Sequence, residues 1–126
     1  GVEVNLMFPC KPDHPFVYWA TLSYVGELIM AGANCYTYDN GFLHAKGLSI
    51  DGKACCYGTA NMDIRSFELN FEVNAMIFDQ NIAGEMERIF REDLKCCTRI
   101  TKEMYKGRSV WIRFKEQISR LLSPVL

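Results

Sequence analysis

Between Phe42 and Glu72 the chain reads FLHAKGLSIDGKACCYGTANMDIRSFELNFE. His44, Lys46, Asp51, Thr59, Asn61 and Glu72 within it are side chains of the kinds that handle phosphate. On a strand, residues two apart share a face, so His44 and Lys46 are expected to project together. An imidazole titrates near neutrality, and an ammonium beside it binds an anion. That pairing suits a phosphate ester: a nucleophile or proton donor, with a cation to neutralise the phosphoryl oxygens. The Asn61 amide and the Thr59 hydroxyl can each donate to a phosphate oxygen, and Gly58 lets the backbone come close. Glu72 is expected to hold the far nitrogen of His44, fixing its tautomer as the third member of a triad does. Asp51, at a hairpin tip, ties down the turn.

The elements that must position these groups are legible in outline. Leu43 to Ile50 and Lys53 to Gly58 form a hairpin around the turn pair Asp51-Gly52. Leu69 to Phe78 alternates as a strand, putting Leu69, Phe71, Val73, Ala75 and Ile77 on one side and Asn70, Glu72 and Asn74 on the other. Asp79 is the N-cap expected for a helix whose stripe is Ile82, Met86, Ile89, Phe90 and Leu94. Upstream, Val2 to Phe8 reads as a strand, followed by a Pro-rich turn holding His14. Phe16 to Ala31 is a broadly apolar helix stopped by Gly32, its breadth calling for burial between a sheet and something else. Cys35 to Tyr38 is a short strand closed by Asn40-Gly41. A last helix runs from about Ser109 to Leu122 and is ended by Ser123-Pro124. Its stripe of Trp111, Phe114, Ile118, Leu121 and Leu122 packs against the body in the commoner arrangement. With Arg113, Lys115 and Arg120 beside it, the other reading is contact with a lipid surface. Strands interspersed with helices make a layered α/β domain.

Composition narrows the function classes. At 126 residues the chain is long enough for one domain with a closed core. A net charge of −1 and a pI near 6.1 give no basic field for nucleic acid. Hydrophobic residues at 49% exclude disorder and leave apolar surface for a partner. The six cysteines include the vicinal pairs Cys55-Cys56 and Cys96-Cys97 and no CxxC, which points to reduced thiols rather than zinc or a disulfide framework. The most apolar run, Phe16 to Ala31, carries Glu27 and falls short of the roughly 20 residues a membrane span needs. No signal peptide opens the chain, and a start on a strand suggests an excised piece of a longer protein.

A histidine and a lysine two apart are by themselves usually a solvated strand face. The whole string is more specific: His44-x-Lys46, four residues, Asp51, six residues, Gly58-Thr59-x-Asn61. It resembles the HKD motif of the phospholipase D superfamily, HxKxxxxD followed by Gly-Ser/Thr-x-Asn. The segments Gly41 to Lys46, Ala60 to Phe67, Leu69 to Glu72 and Arg120 to Leu126 are similar to the bacterial cardiolipin synthase family, in its C-terminal catalytic half.

That resemblance implies a phospholipase D-like fold over residues 1–126, a mixed β-sheet flanked by helices on both faces and forming one half of a pseudo-twofold catalytic unit. It implies phosphatidyl transfer from one phosphatidylglycerol to another with release of glycerol, through a phosphohistidine and with no metal or cofactor. By analogy the upstream histidine is the nucleophile and His44 the general acid and base. Lys46, Thr59 and Asn61 bind the phosphate, and Asp51 and Glu72 complete the catalytic set. The implied partners are a phospholipid substrate, an upstream HKD half or a second copy of the chain, and a membrane surface. The implied location is the bacterial cell membrane, facing the cytoplasm, with anchoring spans outside this chain. With one motif where two are needed, the chain alone is expected to be inactive. The alternatives are a homodimeric phosphodiesterase acting on nucleic acid, disfavoured by the charge, and a non-catalytic interaction module, disfavoured by the intact residue set.

Overall fold

A computed structural model describes residues 1–11 and 15–122. The turn around His14 and the stop at Ser123-Pro124 lie outside the described residues. In chain order the elements are β1 (Asn5–Pro9), α1 (Pro15–Met30), β2 (Asn34–Tyr38), β3 (Gly47–Ile50), β4 (Ala54–Gly58), α2 (Ile64–Glu68), β5 (Asn74–Ile77), α3 (Gln80–Leu94), β6 (Cys97–Ile100), α4 (Lys102–Lys106) and α5 (Val110–Leu122). The class is mixed α/β, with the strands shared between two small sheets flanked by helices. These belong to two compact units, Gly1–Leu43 with Cys96–Leu126, and His44–Lys95.

The first unit is built on the sheet β1-β2-β6, in which β1 runs parallel to β2 and β6 antiparallel. Helix α1 supplies Val25 and Ile29 to a core closed by the fully buried Cys35, with Leu6, Phe8, Leu28 and Ile100 packed around it. Burial also holds the Cys35 thiol above its ordinary pKa, so it sits in the core as a neutral small hydrophobe. All six cysteines are free. The other side of α1 meets α4 and α5. The broad apolar surface of α1 is thus taken up between a sheet and a helical layer, as its sequence demanded.

The contact between α1 and α5 uses small and polar groups. Ala20 and Ser23 of α1 are buried, as are Glu116 and Ser119 of α5. Glu116 ion-pairs with Arg108, whose guanidinium also lies 3.3 Å from the centroid of the Tyr105 ring. Burial raises the Glu116 pKa against the opposing pull of Arg108. Gly26 leaves room for the Tyr105 ring, which occupies the space a Cβ would need. With its polar side turned inward, α5 turns its apolar stripe outward: Trp111 is 75% exposed and Leu121 84%. The expectation that this stripe packs against the body is therefore corrected.

The second unit is an antiparallel meander, β3-β4-β5, with α3 lying across β3 and β4. Asp79 caps α3, its carboxylate accepting from the Asn81 and Ile82 amides at 2.9 and 3.0 Å. The inward face of α3 centres on buried Ala83 with half-buried Met86, Phe90 and Leu94; Ile82 and Ile89 from the expected stripe stay exposed. Ala83 and Cys55, both fully buried, are the unit's innermost side chains. Short α2 in this unit, and β6 and α4 in the first, were not foreseen from periodicity.

Candidate active site

The expected site residues, His44, Lys46, Asp51, Thr59, Asn61 and Glu72, all fall within the His44–Lys95 unit. The hairpin around Asp51-Gly52 is present. Asp51 has φ 51° and Gly52 φ 61°, the left-handed pair of a type I′ turn, and the Lys53 amide donates to the Ile50 carbonyl at 2.9 Å. Asp51 is exposed at the tip, where its tolerance of positive φ serves the turn.

The strands that carry the site are shorter than their sequences suggest. β3 begins at Gly47, so His44 and Lys46 lie on an irregular lead-in and not on a strand. The ladder runs out because β4 ends at Gly58. The Gly58 amide still donates to the Lys46 carbonyl at 3.3 Å, just beyond the last regular pair of the ladder. His44 is exposed and Lys46 half-buried, its ammonium donating to the His44 carbonyl at 3.4 Å. That contact is to the His44 backbone and does not come from strand alternation.

The expected strand Leu69–Phe78 contracts in the same way to Asn74–Ile77. The Leu69 and Asn70 amides are taken by the Arg65 carbonyl at the end of α2. At Val73 the Thr59 side chain replaces the backbone. The Val73 amide donates to Thr59 Oγ1 at 3.0 Å, while the Thr59 amide donates to the Val73 carbonyl at 3.0 Å. Glu72 therefore sits on a loop. At Gly58 a Cβ would collide with the Val73 carbonyl and with Asn74, so glycine is what permits this closure.

Glu72 is the hub of the site. The Thr59 hydroxyl donates to its Oε2, and Asn70 Nδ2 donates to Oε1 at 3.3 Å. The Thr59 hydrogen bond, above all, holds the Glu72 carboxyl below the usual glutamate range, with further help from Ser66, Asn70 and the charge of Lys46. Desolvation opposes these effects and is outweighed. The expectation paired Glu72 with His44; the partners described for its carboxylate are Thr59, Ser66, Asn70 and Lys46.

Ser66 and Asn70 are the residues that sequence reasoning missed. Ser66 is buried, and its Oγ accepts from the Asn61 amide at 3.0 Å while its hydroxyl supports Glu72. Its own amide is capped by Asp63 Oδ1 at 2.7 Å, which starts α2. The available signal was Asp63-x-x-Ser66, an N-cap spacing that announces a helix turn directly after Asn61. Asn61 itself is exposed. An imidazole, an ammonium and a carboxamide are each groups able to contact a phosphate ester.

Comparison with known proteins bears on these groups. The family model described as "Cardiolipin synthase, PLD-like domain" matches residues 1–94. Over the full length of this chain, the major cardiolipin synthase of Bacillus subtilis is 57% identical, the cardiolipin synthase of Oceanobacillus iheyensis 56% and that of Staphylococcus aureus 57%. The chain spans 26% of the length of each of these relatives. No solved structure matches it.

Proposed function

This chain belongs to the cardiolipin synthase family of PLD-like domains, and from that premise we propose that it is the C-terminal catalytic half of a phosphatidyltransferase, its two units working as one phospholipase D-like domain over residues 1–126. The observation that carries the reading is the Glu72 carboxylate held by Thr59 and Asn70, next to Ser66 binding the Asn61 amide, inside the segment that spells the HKD motif.

In this reading the substrate is phosphatidylglycerol. A histidine of the companion half attacks phosphorus, the bond to the glycerol oxygen breaks, and His44 protonates the departing glycerol. His44 then takes the proton from a hydroxyl of a second phosphatidylglycerol, which attacks the phosphohistidine and leaves as cardiolipin. Lys46 and Asn61 hold the phosphoryl oxygens, where charge builds in the transition state. Thr59 stands between that phosphate and Glu72, and the carboxylate in turn braces the loop. Asp51 keeps the hairpin that delivers His44 and Lys46 in register.

The companion half is either upstream in a longer protein or a second copy of this chain. Exposed Phe67 of α2, and Leu69, Phe71 and Val73 on the loop that carries Glu72, favour such a partner over open water. The setting is the cytoplasmic face of a bacterial membrane. No helix among the described residues is long and apolar enough to cross one.

Incubating the purified chain with labelled phosphatidylglycerol tests this directly. The chain alone should release no glycerol, whereas the full-length enzyme carrying it should yield cardiolipin and glycerol in equal amounts. Sustained turnover by a monomeric chain would refute the half-site reading.

A further inference from the structure

The outward stripe of α5 goes beyond this reading, because it lies in the first unit and has no part in the chemistry at His44. Val110, Trp111, Phe114, Ile118 and Leu121 are all exposed, at 80%, 75%, 56%, 43% and 84%. At about 100° per residue they fall on one side of the helix, opposite buried Glu116 and Ser119. This inverts the usual arrangement for a surface helix, whose apolar side faces the core. Trp111 and Phe114 stand edge to face with ring centroids 6.4 Å apart, forming an aromatic ridge.

The charges around the ridge are mostly positive, although exposed Glu103 lies near Lys102 and Lys106, and Glu27 of α1 is ion-paired to Arg120. From Thr101 to Leu122 the chain carries Lys102, Lys106, Arg108, Arg113, Lys115 and Arg120 against only Glu103 and Glu116, in a protein whose net charge is −1. Glu116 is buried in its pair with Arg108, so it presents no negative charge outward. Around the helix, Lys115 falls on one flank of the stripe and Arg113 on the other, while Arg120 turns back to ion-pair with Glu27 of α1. Lys102, Lys106 and Arg113 also line a hollow whose remaining walls are Gly26, Ile29, Met30 and Tyr105, so cations ring an apolar floor beside the ridge.

An apolar ridge flanked by cations on both sides is complementary to an anionic lipid leaflet. Aromatic and aliphatic side chains enter the boundary between headgroups and acyl chains, and flanking lysines and arginines reach the phosphates. A protein partner accounts for the apolar stripe but does not call for a cationic border on both of its flanks. We propose that α5 is an interfacial docking helix, laying Trp111, Phe114, Ile118 and Leu121 into an anionic leaflet while Lys102, Lys106, Arg113 and Lys115 engage the headgroups. Each basic side chain near such a leaflet multiplies partitioning about fivefold.

The test is co-sedimentation of the 126-residue chain with vesicles of phosphatidylcholine alone, or of phosphatidylcholine with phosphatidylserine. Phosphatidylserine supplies the anionic surface without the lipid on which His44 is proposed to act. The chain should bind the mixed vesicles, release with added salt, and ignore the neutral ones. Lys102→Gln with Lys106→Gln should weaken binding about thirtyfold. Trp111→Ser with Phe114→Ser should abolish it, with an unchanged far-ultraviolet circular dichroism spectrum. His44→Ala should bind as the parent does, so a failure of the catalytic reading leaves this result standing. A readout that alters no stripe residue is Trp111 emission in a Trp19→Phe background, which should shift to the blue on anionic vesicles. Absence of binding, equal binding to neutral vesicles, or full binding by the Trp111/Phe114 variant would overturn the proposal. So would self-association that the same variant abolishes in a chain that ignores vesicles, because the stripe would then be a protein interface.

Discussion

Ser66→Ala is the sharpest test of how the site is held. Ser66 is 6% exposed, and its hydroxyl accepts from the Asn61 amide at 3.0 Å. Removing it leaves that amide without its acceptor and takes one support from Glu72. A net intramolecular hydrogen bond contributes about 0.5–1.5 kcal/mol, and a donor left unsatisfied costs about 1–3 kcal/mol, so the variant should lose about 1–2 kcal/mol. The Asp63 cap on the Ser66 amide is a backbone interaction and survives, so α2 should persist. Urea unfolding followed by circular dichroism should show a lower midpoint at unchanged slope. Amide exchange at Asn61 should accelerate, because its hydrogen-bond partner is gone. In the full-length enzyme the loosened Asn61 should lower turnover about tenfold, the rate equivalent of roughly 1.4 kcal/mol. Stability and Asn61 exchange indistinguishable from the parent would refute the claim that Ser66 organises the site.

Three further outcomes follow from the same geometry. Glu72 is held below the ordinary glutamate range, so the stability it contributes is present above the unfolded-state pKa and is lost as pH falls through the lower folded value. Thr59→Val removes the largest cause of that shift, and the Glu72 carboxyl resonance should titrate at higher pH; an unmoved titration would contradict the assignment. Gly58→Ala places a methyl group against the Val73 carbonyl and Asn74 and should cost about 1–3 kcal/mol in urea unfolding. Glu116→Ala strands the largely buried Arg108 guanidinium and should cost about 3–5 kcal/mol by the same measurement.

What the sequence made legible was local. Asp51-Gly52 announced its turn, Asp79 its helix cap, and the apolar breadth of Phe16 to Ala31 its burial on two sides. Each signal acts through its own backbone or its immediate neighbours. What escaped depended on where partners stop. His44 and Lys46 fit strand alternation, yet β4 ends at Gly58 and leaves them outside the ladder. Leu69 to Val73 also alternates, yet α2 and the Thr59 hydroxyl claim its amides first. The stripe of α5 was visible, but its direction was set by Glu116 and Ser119, polar residues that pack inward because Arg108 neutralises one of them and the other is small.

The claim that this chain holds half of a phosphatidyl-transfer site is tested most directly by His44→Ala in the full-length enzyme, with cardiolipin and glycerol release from phosphatidylglycerol as the readout. A positioned general acid and base contributes about 10²–10⁴-fold, and turnover should fall by that factor while phosphate remains trappable on the companion histidine. Turnover equal to the parent's, or phosphate trapped on His44 itself in the unmodified enzyme, would contradict the role assigned to it.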